Sequence, residues 1–137
     1  MQRELMKSKI HRATVTQADL NYVGSITIDL DLMESADLLQ HEKVDVVVLN
    51  NGERWTTYVM PGPRGSGIIG INGPTARLAL PGDIVIIMAY ASVTADEAKT
   101  HEPTVVFVDS ENRAVSIGHD AAAAVQPDTM RGDESHR

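Results

Sequence analysis

At 137 residues, with 19 acidic against 12 basic side chains and a formal charge of −7, the chain fits one domain able to bury its own core, and its acidity argues against general nucleic-acid binding. Cysteine is absent, which excludes disulfides, zinc–thiolate sites and thiol nucleophiles, and the 5 histidines (His11, His41, His101, His119 and His136) lack metal-ligand spacing, so no metal is expected. No apolar leader core opens the sequence and its longest apolar run, Ile84 to Ala91, is too short to span a bilayer, so a soluble cytoplasmic protein with no membrane partner is expected.

Short β-branched runs separated by turn residues predict a mainly β fold, a small barrel or sandwich. Near the start, Arg3, Lys7, Lys9 and Arg12 stand against Glu4 alone. This island invites an anionic ligand or, as a solvated strand edge, discourages aggregation. Lys9 to Thr16 predicts a first strand, followed by a connection through Asp19 and Tyr22. Tyr22-Val23-Gly24-Ser25 comes next. A Gly-Ser pair is ordinarily a turn, yet a serine hydroxyl can also attack the carbonyl before it, and glycine leaves that carbonyl unshielded. Ser25 to Asp29 predicts a second strand. Asp31 is expected to cap a short helix with Leu32, Leu38 and Leu39 as its apolar stripe and Glu34 in its first turn.

Val44 to Leu49 and Arg54 to Met60 flank Asn50-Asn51-Gly52-Glu53, a strong hairpin signal. The two-residue period puts Arg54, Thr56 and Tyr58 on one face and Trp55, Thr57 and Val59 on the other. Arg54 and Tyr58 then form a polar pair on one face or an ordinary exposed strand surface. Pro61-Gly62-Pro63-Arg64-Gly65-Ser66-Gly67 reads as a loop, without the strand and helix context of a phosphate-binding loop, so no nucleotide is expected. Ile68 to Ile71 predicts a short strand, and Asn72 to Arg77 a short helix with Pro74 in its first turn. Ile84 to Tyr90 reads as a fully buried strand, Thr94 to Thr100 as one or two helical turns, and Thr104 to Val108 as the last strand. The chain divides into one folded unit over 1–117 and a tail, 118–137, expected to be disordered.

Taken together, Lys9, His11, Tyr22-Val23-Gly24-Ser25, Arg54, Thr57-Tyr58, Arg64-Gly65-Ser66 and Asn72-Gly73 resemble, in order, the pyruvoyl-dependent aspartate 1-decarboxylases of bacterial pantothenate synthesis. The resemblance runs from about Met1 to about Val108. It implies a six-stranded double-psi β-barrel with short helices, assembled as a homotetramer with active sites between subunits. It also implies autocatalytic cleavage at Gly24-Ser25 into chains 1–24 and 25–137, with Thr57 stabilising the oxyanion and Ser25 becoming a pyruvoyl cofactor. That group would serve as the electron sink for removing the α-carboxylate of L-aspartate, leaving β-alanine and CO2.

By the same resemblance, Lys9 and Arg54 hold the substrate's carboxylates, Tyr58 is the proton donor, and Thr57, Gly73 and Thr75 contact the substrate. His11, Tyr22 and Asn72 are supporting residues, although a hydrogen-bond-satisfied core histidine also accounts for His11. The substrate turn usually reads Gly-Ala-Ala and here reads Gly73-Pro74-Thr75, so no contact through the amide of residue 74 can exist. Assistance by a maturation factor stays open. Two alternatives stand beside this reading: a non-catalytic barrel that only binds, and a decarboxylase of another acidic amino acid such as glutamate.

Overall fold

Short runs rich in β-branched residues, bounded by turn residues, carry the chain into strands. The computed structural model describes residues 1–120. In chain order the elements are β1 (Gln2–Thr14), β2 (Gln17–Asp19), β3 (Ser25–Asp29), α1 (Leu30–Ser35), β4 (Lys43–Val48), β5 (Arg54–Gly62) and β6 (Ile69–Asn72). A 3-10 helix (Gly73–Arg77), β7 (Ile84–Thr94), α2 (Ala95–Thr100), β8 (Thr104–Val108) and β9 (Ala114–Gly118) follow.

The 9 strands form one mixed sheet in the order β2-β6-β3-β5-β4-β7-β1-β8-β9. Strand pairing does not close this sheet into a ring. It curls nonetheless, because β1 and β2, far apart in that order, are separated in sequence only by Val15 and Thr16. Backbone bonds hold that junction, Thr16 N–H to the Ile69 carbonyl and Val15 N–H to the Asp83 carbonyl, both at 2.9 Å. The curl lets Ile10, Ile26, Ile71, Val46, Ile87 and Val106, from six strands, share one buried cluster. Among the described residues no helix is long and apolar enough to cross a membrane.

Several expectations need correction. Among the described residues the fold is mainly β as expected and its sheet has 9 strands, and Thr104–Val108 is not the last of them, because β9 follows it. β7 is not fully buried: Val85, Ile87 and Ala89 face the core while Ile84, Ile86 and Met88 are half-exposed. β5 runs on through Pro61 and Gly62, paired in parallel with Ile28 and Asp29. Proline is tolerated there because β4 stops pairing with β5 at Tyr58, so its missing N–H breaks no ladder on that side. The cap of α1 is Asp29, not Asp31, and Leu39 is exposed whereas Leu32 and Leu38 are buried. Of the predicted tail 118–137, residues from 121 onward lie outside the described residues.

The 63–68 loop is fastened from below. The buried Asp29 carboxylate accepts from the N–H groups of Asp31 (2.9 Å), Gly65 (3.0 Å) and Gly67 (2.8 Å). Arg64 is engaged by Asp31 at 2.7 Å and Glu34 at 2.6 Å, so its charge serves the loop's own anchoring. Buried Asn112 ties the β8–β9 turn to Thr14 and donates to the Gly67 carbonyl at 2.8 Å.

Candidate active site

Ser25 opens β3 and is only 2% exposed, whereas Tyr22 and Val23 just before it are 60% and 70% exposed. The chain therefore passes from solvent into the sheet across Gly24. Ser25 pairs with Asn72 at the end of the antiparallel β3–β6 ladder. The Asn72 side-chain amide donates to Ser25 Oγ at 3.0 Å and to Thr27 Oγ1 at 2.8 Å. Ser25 Oγ in turn donates to the Val23 carbonyl at 3.3 Å, a long bond that leaves the hydroxyl able to turn toward its neighbour.

On the other flank β3 runs parallel to β5 with Ile26 opposite Val59. The pairing starts there; just before it in the chain come Gly24 and Ser25, and just before it on β5 come Thr57 and Tyr58. Both side chains are half-buried, and the Tyr58 ring lies 6.4 Å from that of His41. Beyond Asn72 the backbone turns into the 3-10 helix through Gly73, whose φ of 81° is left-handed. Thr75 follows, its hydroxyl 3.4 Å from the Asn72 carbonyl, and exposed Pro74 offers no amide. A cleft of about 290 Å³ opens at this place, with Tyr22, Thr27, Met60 and Asn72 in its walls. One end of β3 thus brings together Tyr22, Gly24, Ser25, Asn72, Gly73 and Thr75, with Thr57 and Tyr58 on the neighbouring β5.

Lys9, His11 and Arg54 stand elsewhere in the sheet. Lys9 and His11 are on β1, which is separated from β3 in strand order by β5, β4 and β7. Burial lowers the Lys9 pKa from its ordinary value. His11 falls in an irregularity of the β1–β7 ladder, its ring edge-on to Phe107 at 5.5 Å. It is 7% exposed, and neither ring nitrogen has a hydrogen-bond partner among the described residues, which corrects the expectation of a satisfied core histidine. Burial first, then the charges of Lys9 and Arg12, push its pKa down to about 4. Of the basic island, Lys7 is paired with Glu42 at 2.7 Å.

Arg54 lies at the far end of β5, roughly 13 Å along the strand from Tyr58. It borders a second cleft of about 410 Å³ with Glu4, Lys43, Asp45, Thr56 and Tyr90. Its Nη2 donates to Asp45 Oδ2 at 3.0 Å and to the Tyr90 hydroxyl at 3.2 Å. The bond from Asp45, then that from Tyr90, raises the Arg54 pKa. Hydrogen bonds from Thr56 and then Arg54 lower that of Asp45. Arg54 and Tyr58 do share a strand face, as the two-residue period predicts, but four residues separate them.

Sequence reading passed over Asp45, Tyr90 and Thr27. Each had a usable signal: Asp45 and Thr56 are opposite one another once the Asn-Gly hairpin is registered, and Thr27 shares the Ser25 face by alternation. Among the described residues no group of three or more His, Cys, Asp or Glu is placed to hold a metal ion.

Residues 1–115 match the sequence model of a family described as aspartate decarboxylase, a span that contains every site residue named above. The match defines the class of protein as a carboxy-lyase. The chain belongs to the aspartate decarboxylase family, and its activity is that of an aspartate 1-decarboxylase.

Proposed function

We propose that the chain cuts itself between Gly24 and Ser25, converts Ser25 to a pyruvoyl group, and uses that group to decarboxylate L-aspartate to β-alanine and CO2. The observation that carries this reading is the Ser25 hydroxyl, buried at the first position of β3 and fixed by Asn72 at 3.0 Å, directly after the Gly24 carbonyl. In the cut, Ser25 Oγ bonds to the Gly24 carbonyl carbon, the peptide C–N bond breaks and its nitrogen takes the hydroxyl proton, giving an ester. Loss of the Ser25 α-proton expels the Gly24 carboxylate, and water then replaces the nitrogen as ammonia. Thr57 would steady the oxyanion.

The residues fit the group that this sequence of events leaves. Loss of Oγ removes one acceptor from Asn72, which keeps its bond to Thr27 and has an N–H for an incoming oxygen. When present, the ketone supplies an electron sink for carboxylate loss next to a bound amine. Lys9 and Arg54 would hold the two carboxylates and so decide which one is lost, while Tyr58 would return a proton to the former α-carbon. Gly73 and Thr75 would border the substrate, with His11, Tyr22 and Asn72 in support.

Arg54 sits at the opposite end of β5 from the residues that pair with β3, and this favours a site completed across a subunit boundary in a homotetramer. Each subunit would be a six-stranded double-psi β-barrel with the remaining strands as additions. We place the enzyme in the cytoplasm, with a maturation factor as the alternative to unaided cleavage. Intact-mass measurement tests the core of this reading: two chains, 1–24 and 25–137, the larger lighter by one ammonia than hydrolysis alone would leave. A single chain after long incubation, or turnover of glutamate in preference to aspartate, would overturn it.

A further inference from the structure

The last antiparallel pair of β3 and β6 is Ser25 with Asn72, so the next residues out, Gly24 and Gly73, face each other where the ladder ends. Ser25 is held by that pairing and by the Asn72 amide. Gly24 belongs to no strand, and its preceding residues, Tyr22 and Val23, are exposed. What lies against Gly24 is Gly73. A Cβ built on Gly73 would fall 2.7 Å from Gly24 Cα, 3.0 Å from Gly24 N and 3.4 Å from the Tyr22 carbonyl oxygen. A Cβ on Gly24 itself would meet only the Asn72 carbonyl oxygen, at 4.0 Å. The close fit is therefore one-sided: the turn at Gly73 is the floor on which residues 22–24 rest.

We propose that Gly73 is a positioning residue for self-cleavage, setting the Gly24 carbonyl against the Ser25 hydroxyl through direct backbone contact. This rests on the reading that Ser25 attacks Gly24, and it gives Gly73 a task before any substrate is present. Its bare Cα lets the two backbones approach, and its left-handed φ of 81° turns the chain away at once into the 3-10 helix. A methyl at residue 73 would push Gly24 back by about 0.7 Å to reach an ordinary contact of 3.4 Å. A displacement of that size is expected to slow the attack by about tenfold to a hundredfold.

Two other glycines separate contact from backbone strain. Gly52 (φ 75°) and Gly82 (φ 95°) are also left-handed, but a Cβ on either meets nothing within 4 Å. The experiment follows the uncut fraction with time by intact mass, after cell-free synthesis, in wild type, Gly73→Ala, Gly52→Ala and Gly82→Ala. Wild type and the two controls should be cut at similar rates, with Gly73→Ala slower by about tenfold or more. Gly73→Asn, which carries the same Cβ on a residue more tolerant of a left-handed backbone, should be slowed alike and covers the case in which Gly73→Ala does not fold. Circular dichroism and urea midpoints identify the folded variants. Cleavage of either folded Gly73 variant at the wild-type rate overturns the proposal, as does equal slowing in the controls. Wild type that stays one chain would instead overturn the self-cleavage reading itself.

Discussion

Arg54 and Asp45 meet diagonally across the β4–β5 hairpin, Nη2 to Oδ2 at 3.0 Å, and Thr56 steadies the same carboxylate through a 2.6 Å hydrogen bond to Oδ1. The cation assigned to a substrate carboxylate is thus already engaged by a carboxylate of its own chain. With Tyr90 on the same nitrogen the guanidinium is oriented, and a substrate carboxylate bound there as proposed would compete with Asp45 for it.

Removing the Asp45 charge should therefore ease substrate entry. Asp45→Asn keeps an acceptor for Arg54 and Thr56 but ends the competition, and KM for aspartate is expected to fall by about two- to fivefold with kcat little changed. Arg54→Ala should raise KM by about tenfold or more. Steady-state kinetics on fully processed enzyme checks both. A raised KM in Asp45→Asn would show that its charge orients Arg54 more than it competes.

Asp29 is expected to be a major stabilising residue that touches no substrate. Its buried carboxylate satisfies three backbone N–H groups and so fastens α1 and the 63–68 loop together. Asp29→Ala leaves those donors unpaired and should cost about 3 kcal/mol, read as a lower urea midpoint at unchanged slope.

His11 predicts a pH dependence of stability. Unfolded, the imidazole titrates near its ordinary value of 6.5; folded, it does so only at about 4, because burial and then the charges of Lys9 and Arg12 oppose protonation. Below 6.5 the unfolded state takes up a proton that the folded state refuses. This contribution is whole above 6.5 and is lost as pH falls toward about 4. Urea midpoints should decline from pH 7 to pH 5 in the wild type and decline less in His11→Phe, which keeps a ring beside Phe107.

Arg64, a tempting anion ligand because it stands in a glycine-rich loop, should prove dispensable for catalysis. Its guanidinium is engaged by Asp31 and Glu34 on the exposed face of α1. Arg64→Ala is expected to be processed and to turn over aspartate at wild-type rates, with a small loss in melting temperature. A tenfold fall in kcat/KM would contradict that assignment.

Much of the fold was legible because local chemistry and global packing agree. The bounds of β3 emerge as expected from Ser25 to Asp29, and the Asn-Gly turn pairs the two strands it was read to pair. Other features depended on partners distant in sequence. Asp29 is recognisable as a hub only with residues 36 and 38 positions away in place, and β9 is a short strand whose alternating Val115 and Ile117 stay exposed, so it adds nothing to the core. In the site, Ser25 was legible as a candidate from its residue type and the glycine before it, but its bond to Asn72, 47 positions on, was not. That Asp45 stands on Arg54 requires the register of the hairpin, which no linear motif contains.

The place of β1 bears on what the proposed cut would do to the enzyme. All 13 residues of β1 precede Gly24, and the strand lies between β7 and β8, with Ile10 and Ala13 in the core. A break after residue 24 would leave the first fragment as an interior strand of the fold, held only by non-covalent forces. Unfolding would then release two polypeptides, and recovery would require them to find each other, making refolding a second-order reaction that slows on dilution. An uncut chain would keep β1 tethered to the rest of the fold; a cut enzyme would have given up that tether in exchange for its cofactor.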